Sequence, residues 1–172
     1  LDTAIRAAQL IRDSHPQIRL LMVGTGAKEQ ELRDLADSLG ASNVVFFGRQ
    51  PYESMPKYYT AADVLLIHLK DIPLFETAIP SKTQVSLASG RPILLAIRGD
   101  AATIIEQANC GITAPPENPR AMAEAMIKLL NTPLEEREAM GRRGRQFYDD
   151  HMCLEKGATT LESLLYQASL GH

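Results

Sequence analysis

Short apolar runs alternate with longer helical patterns along this chain, and that alternation restricts it to a layered α/β architecture. The runs are Ile18–Val23, Val44–Phe47, Val64–Leu69, Ile93–Ala96 and the weaker Gly111–Thr113. Between them, Leu32, Leu35, Ala36 and Leu39 repeat at helical spacing and stop at Gly40, while Met55–Ala61 and Ala101–Ala108 read as shorter helices. Connections this short imply parallel strands, with helices on both faces of a doubly wound sheet. Ile18–Val23 is expected to be a buried strand. The chain opens with a helix, around Ile5, Ala8 and Leu10–Ile11, that His15-Pro16 ends. A doubly wound sheet normally places a strand first, so a strand upstream of Leu1 is expected.

The second half reads mostly as helix. Asn118-Pro119 combines an N-cap with proline at the first helical position. Met122, Met126, Leu129 and Leu130 then share one face, which is read as core packing. Asp100 is expected to cap the Ala101–Ala108 helix. Thr132-Pro133-Leu134-Glu135 has the capping-box form, and Leu154, Ala158, Leu161, Leu165 and Ala168 form a last amphipathic stripe.

Bulk properties exclude several classes. At 172 residues the chain suits one domain, 1–172, and a net charge of -3 gives no reason to expect nucleic acid as a partner. No apolar run approaches the roughly 20 residues that span a bilayer, and the first residues lack the pattern of a signal peptide. Cys110 and Cys153 belong to no C-x-x-C pair and read as reduced thiols, which suits the cytosol. His15, His151 and His172 have no partner at metal-ligand spacing, and no D-x-D occurs, so neither a metal nor another cofactor is expected.

In parallel sheets ligands bind beyond the carboxyl ends of the strands. Gly24-Thr25-Gly26 joins a strand to a helix there; such a turn lets backbone N–H groups approach a phosphate or sugar, and it also serves as a plain tight turn. In Ile79-Pro80-Ser81-Lys82-Thr83-Gln84, Ser81 and Gln84 fit a capping box, so a helix is expected from Lys82. Lysine in a first turn opposes the helix dipole, which hints at an anionic ligand; the alternative is a capped surface helix with a solvated lysine. Glu76 precedes this helix in a loop, where a lone carboxylate is usually solvated. His68 ends an apolar run and is read as packed or at an edge rather than as a base. Arg142-Arg143-Gly144-Arg145 reads as the solvated end of a helix.

In this order the segments resemble the C-terminal domain of GT-B-fold glycosyltransferases of the retaining family 4, over nearly the whole chain. The resemblance rests on Leu20–Gly26, Val44–Gly48, Tyr59–Leu66, Pro80-Ser81-Lys82 with Leu87–Pro92, Cys110-Gly111 and the late Pro119 helix. It implies a Rossmann-like domain whose Gly24, Thr25, Gly26, Pro80, Ser81, Lys82 and Thr83 approach the sugar and diphosphate of a nucleotide-sugar donor. Gly48 and Arg49 would lie near the base. It also implies an acceptor, glycan or lipid-linked, held by an N-terminal domain outside this sequence, with helix 154–169 crossing onto that domain. A cytoplasmic place beside the inner membrane face, with peripheral membrane association, follows from the same likeness.

Relatives often carry two glutamates with seven residues between them; the matching positions here are Thr77 and Val85, with Glu76 one place away. Glu76 is the candidate catalytic carboxylate. Val85 cannot bind ribose hydroxyls as a glutamate would. The Pro-Ser-Lys form resembles the branch serving bacterial surface polysaccharides, which points to a UDP-linked, N-acetylated sugar. A catalytically inactive nucleotide-sugar-binding module and a GT-B-fold UDP-sugar epimerase are the alternatives.

Overall fold

The computed structural model describes residues 1–170; His172, among the histidines considered above, lies outside them. The order is α1 (Asp2–Ile11), β1 (Leu20–Val23), α2 (Glu29–Ser38), β2 (Val44–Gly48), α3 (Met55–Ala61), β3 (Leu65–His68), α4 (Ser81–Ala88), β4 (Ile93–Ala96), α5 (Asp100–Gln107), β5 (Gly111–Thr113), α6 (Pro119–Asn131), α7 (Leu134–His151) and α8 (Leu154–Leu170). Every ladder is parallel.

The single sheet expected from the alternation is divided in two, β1-β2 and β3-β4-β5. Among the described residues no ladder joins β1 to β3, so each of these strands is paired along one edge only. Helix α1 spans the division: Ala4, Ala7 and Ile11 enter the core beside β3, β4 and α6, while Ile5 packs with Ala36 and Val44 against β1 and β2.

Strand β4 is the centre of the fold. Ile93, Leu95 and Ile97 face one core with Leu87, Ile105 and Cys110, whereas Leu94 and Ala96 face the other with Met122 and Leu129. This is the two-residue period of a strand covered on both faces. Each fully buried leucine there contributes about 2 kcal/mol of apolar burial. Strand β1 corrects the expectation of a buried strand. Its Leu20 and Met22 are half-buried against the core, but Leu21 is 47% exposed.

Local capping is fulfilled at one helix and corrected at three. Asn118 Oδ1 accepts the Ala121 N–H at 3.0 Å, with Pro119 at the first helical position, as expected. Ser81 and Thr132 do not cap. Pro80 and Pro133, with ψ of 140° and 147°, take the N-cap positions, so α4 starts one residue earlier than expected, at Ser81, and α7 one residue later, at Leu134. The Thr132 hydroxyl instead donates to Lys128 O at 2.8 Å, closing α6 rather than opening α7. Asp100 lies inside α5, whose N-cap is Gly99.

Arginines satisfy the opposite helix ends. Arg12 donates to Gly40 O and Arg91 to Thr60 O, at the ends of α2 and α3. Arg145 donates to Ala88 O at 3.1 Å, at the end of α4, and Arg143 to Asn109 O at 2.7 Å, just past α5. Cations suit these carbonyl-rich termini. The Arg142–Arg145 cluster is therefore not a solvated helix end: it lies within α7, where Arg143 and Arg145 also pair with Glu136 and Asp149.

Candidate functional site

The carboxyl ends of the strands carry the predicted residues in two groups, one on each sheet. On the first sheet the Gly24 N–H donates to Gly48 O at 2.8 Å, which brings the Gly24–Gly26 and Gly48–Arg49 turns side by side. Gly24 has φ +117°, a conformation that side chains rarely adopt. A Cβ placed on Gly24, Gly26 or Gly48 would meet nothing within 4 Å, so the space above these turns is open. Thr25 and Arg49 are exposed.

On the second sheet β3 leads through an exposed loop to α4. Helix-start N–H groups have no intrahelical acceptor. The Thr83 N–H turns back to Pro80 O at 2.8 Å, while those of Ser81 and Lys82 have no backbone partner among the described residues. Ser81 and Lys82 are exposed, but the Thr83 side chain is 0% exposed and its hydroxyl is buried without a partner. With its N–H already turned to Pro80 O and the whole residue buried, Thr83 offers no group to a ligand, which corrects its place among the expected donor contacts. Val85, one turn further along α4, is 46% exposed and supplies an apolar surface at this end of the helix.

The loop carrying Glu76 is held by the loops after β4 and β5. The Asp100 N–H donates to Glu76 O at 2.8 Å, Arg98 pairs with Asp71 at 3.2 Å, and the Asp71 N–H donates to Glu117 Oε2 at 2.9 Å. The Glu76 side chain is exposed. Sequence reasoning missed Asp71, Arg98, Gly99 and Glu117. A glycine following an apolar strand was a usable signal for Gly99, whereas nothing in Pro115-Pro116-Glu117-Asn118 marks Glu117.

His68 ends β3 with its Nε2 buried and unpartnered. Burial drives its imidazole down to about 4; Lys82 acts the same way, and Asp2 and Glu117 oppose it. It is therefore neutral at pH 7. Among the described residues no group of three or more His, Cys, Asp or Glu side chains is placed to hold a metal, and no helix is long and apolar enough to cross a membrane. The exposed first turn of α4 with Lys82, and separately the open glycine turns, form an arrangement suited to an anion on one sheet and to a polar group on the other.

Comparison with known proteins bears on that arrangement. A family model described as "Glycosyl transferases group 1" matches residues 1–147. The chain is 25% identical over 173 residues to the probable glycosyltransferase WbjE of Pseudomonas aeruginosa, covering 99% of this chain and 42% of that protein. It is 28% identical over 178 residues to a GDP-mannose-dependent monoacylated alpha-(1-6)-phosphatidylinositol monomannoside mannosyltransferase of Corynebacterium glutamicum, covering 95% and 43%. Among solved structures, Anabaena HepE in complex with UDP and glucose superposes with a TM-score of 0.75 at 18% identity, covering 94% of this chain and 43% of that one. The chain thus spans about two-fifths of the length of the curated relatives named.

Proposed function

The chain belongs to the glycosyl transferases group 1 family, and from that membership we propose that it is the donor-binding half of a GT-B glycosyltransferase. The observation that carries this reading is the exposed first turn of α4, with Lys82 and the free Ser81 and Lys82 N–H groups, at the same ends of the strands as the open Gly24 and Gly48 turns. The donor is a nucleotide-diphosphate sugar, UDP-linked and N-acetylated, with Arg49 beside the base. HepE, with UDP and glucose bound, shares the fold and supports the choice of nucleotide.

Cleavage at the anomeric carbon leaves negative charge on the departing nucleoside diphosphate. Fixed N–H donors and Lys82 stabilise that charge without a metal, and Glu76 faces the transferred sugar. Anomeric configuration is retained. The acceptor, a glycan or lipid-linked sugar of a surface-polysaccharide pathway, sits on a further domain. The exposed stripe of α8, including Leu161, Leu165 and Tyr166, packs on that domain. The protein works in the cytoplasm at the inner membrane face.

A second reading, a nucleotide-sugar-binding module without transferase activity, is favoured by half-exposed Val85, which offers a ribose no hydrogen-bond partner. The test is calorimetric titration of UDP, GDP and UDP-N-acetylglucosamine, repeated with Lys82→Ala. UDP-selective binding that weakens about three- to tenfold in the variant supports the donor site. Binding of none of them by the chain or by a longer form of the protein sinks it. Binding of UDP by that longer form, without transfer from any UDP-sugar, selects the second reading.

A further inference from the structure

We propose that Glu117 is a positioning residue that holds the Asp71–Thr77 loop in the shape presenting Glu76 and the first turn of α4 to the donor; its link to the donor rests on the reading above. The Glu117 Oε2 accepts the Asp71 N–H at 2.9 Å, across 46 residues of sequence. Asp71 in turn accepts from Arg98 Nε, at 3.2 and 3.3 Å to its two oxygens. Two loops, after β4 and β5, thereby converge on the first residues of the donor loop.

These tethers fix the start of the loop; its end is held by a turn at Pro73–Phe75 and by the Asp100 N–H on Glu76 O. Of residues 70–77 every one but Phe75 is exposed, so burial does not define its position. A segment with few buried contacts opens locally at low free energy, and the hydrogen bond at its entry then contributes to its order.

The backbone of Glu117 is the second observation. Its φ is +52°, a left-handed conformation that costs a glutamate energy and a glycine little. A residue held in that state commonly serves something other than local stability. Here the bend immediately before the Asn118 N-cap would form as well with glycine, but glycine could not reach Asp71. Strain at the backbone and reach of the carboxylate belong to the same residue. Removing the side chain therefore relieves the first and abolishes the second, two effects that a purely structural role would not separate.

The experiment compares wild type with Glu117→Gly and Glu117→Gln, reading thermal stability, amide hydrogen exchange over Asp71–Thr77, and UDP and GDP affinity. Glu117→Gly is expected to melt within ~2 °C of wild type or above it. Its loop amides should exchange about tenfold faster and its UDP affinity should fall about three- to tenfold. Glu117→Gln keeps an acceptor oxygen and should restore both to wild-type values. Unchanged exchange and affinity in Glu117→Gly overturn the proposal, and so does a Glu117→Gln variant as impaired as Glu117→Gly. If wild type binds neither UDP nor GDP, the donor reading fails by itself, while the exchange comparison still decides whether Glu117 holds the loop.

Discussion

Gly99 lies directly against the backbone of Glu76: a Cβ at Gly99 would stand 1.9 Å from the Glu76 carbonyl oxygen and 2.5 Å from its carbonyl carbon. Gly99 also has φ +80° and ψ -143°, a combination that side chains scarcely tolerate. The next residue, Asp100, donates its N–H to the same carbonyl at 2.8 Å. The candidate catalytic carboxylate therefore projects from a backbone seated on the loop after β4.

Gly99→Ala should lower stability by about 2–4 kcal/mol, from strain and the backbone clash together. The clash can be relieved only by moving the loop, so UDP affinity should fall as well. Urea denaturation and calorimetric titration read the two effects; an unchanged midpoint together with unchanged UDP affinity would mean that the loop is not seated on Gly99.

His68 sets a pH dependence of stability. Its folded pKa, about 4, lies below the ordinary histidine value of about 6.5, so the unfolded chain takes up the proton first. The contribution is whole above about pH 6.5 and is lost as pH falls from there toward 4, amounting to roughly 2–4 kcal/mol. His68→Gln should flatten the decline in stability between pH 7 and pH 4.5. A variant that tracks wild type across that range would remove His68 as the cause.

The two thiols should differ in reactivity. Cys110 is fully buried and burial pushes its thiol up to about 11, whereas Cys153 is half-buried near the end of α7. Only the thiolate reacts readily. A thiol reagent at pH 8 should label Cys153 in the native protein and both cysteines in denaturant, as mass spectrometry of the labelled peptides would report. Rapid native labelling of Cys110 would mean that its core is open.

Asn118→Ala should cost about 1 kcal/mol by removing the cap on α6, and Asn118→Asp should restore it. Because Asn118 touches no part of the donor loop in the hydrogen-bond network described, UDP affinity should hold. Thermal melts and titrations on the same samples check the pair. A loss of affinity equal to that of Glu117→Gly would show that the bend as a whole, rather than the Glu117 carboxylate, orders the loop.

Much of this architecture was legible in the residues themselves. Met55–Ala61, Ile93–Ala96 and Gly111–Thr113 occupy the positions that their patterns predict, as does the Asn118-Pro119 start of α6. These signals are local, because a period of two or of 3.6 residues and a side chain reaching three residues ahead need no distant partner. The placement of Gly24, Gly48 and Pro80–Thr83 at strand ends followed from the parallel alternation. The three failed caps show where local reading stops. Pro80, Pro133 and Gly99 could take the same N-cap positions, and the path of the incoming chain decided between them. Tertiary structure alone divided the sheet between β1 and β3, buried the Thr83 hydroxyl and set Glu117 against Asp71. Those outcomes depend on which elements pack together across tens of residues, and neither helical nor strand periodicity carries that information.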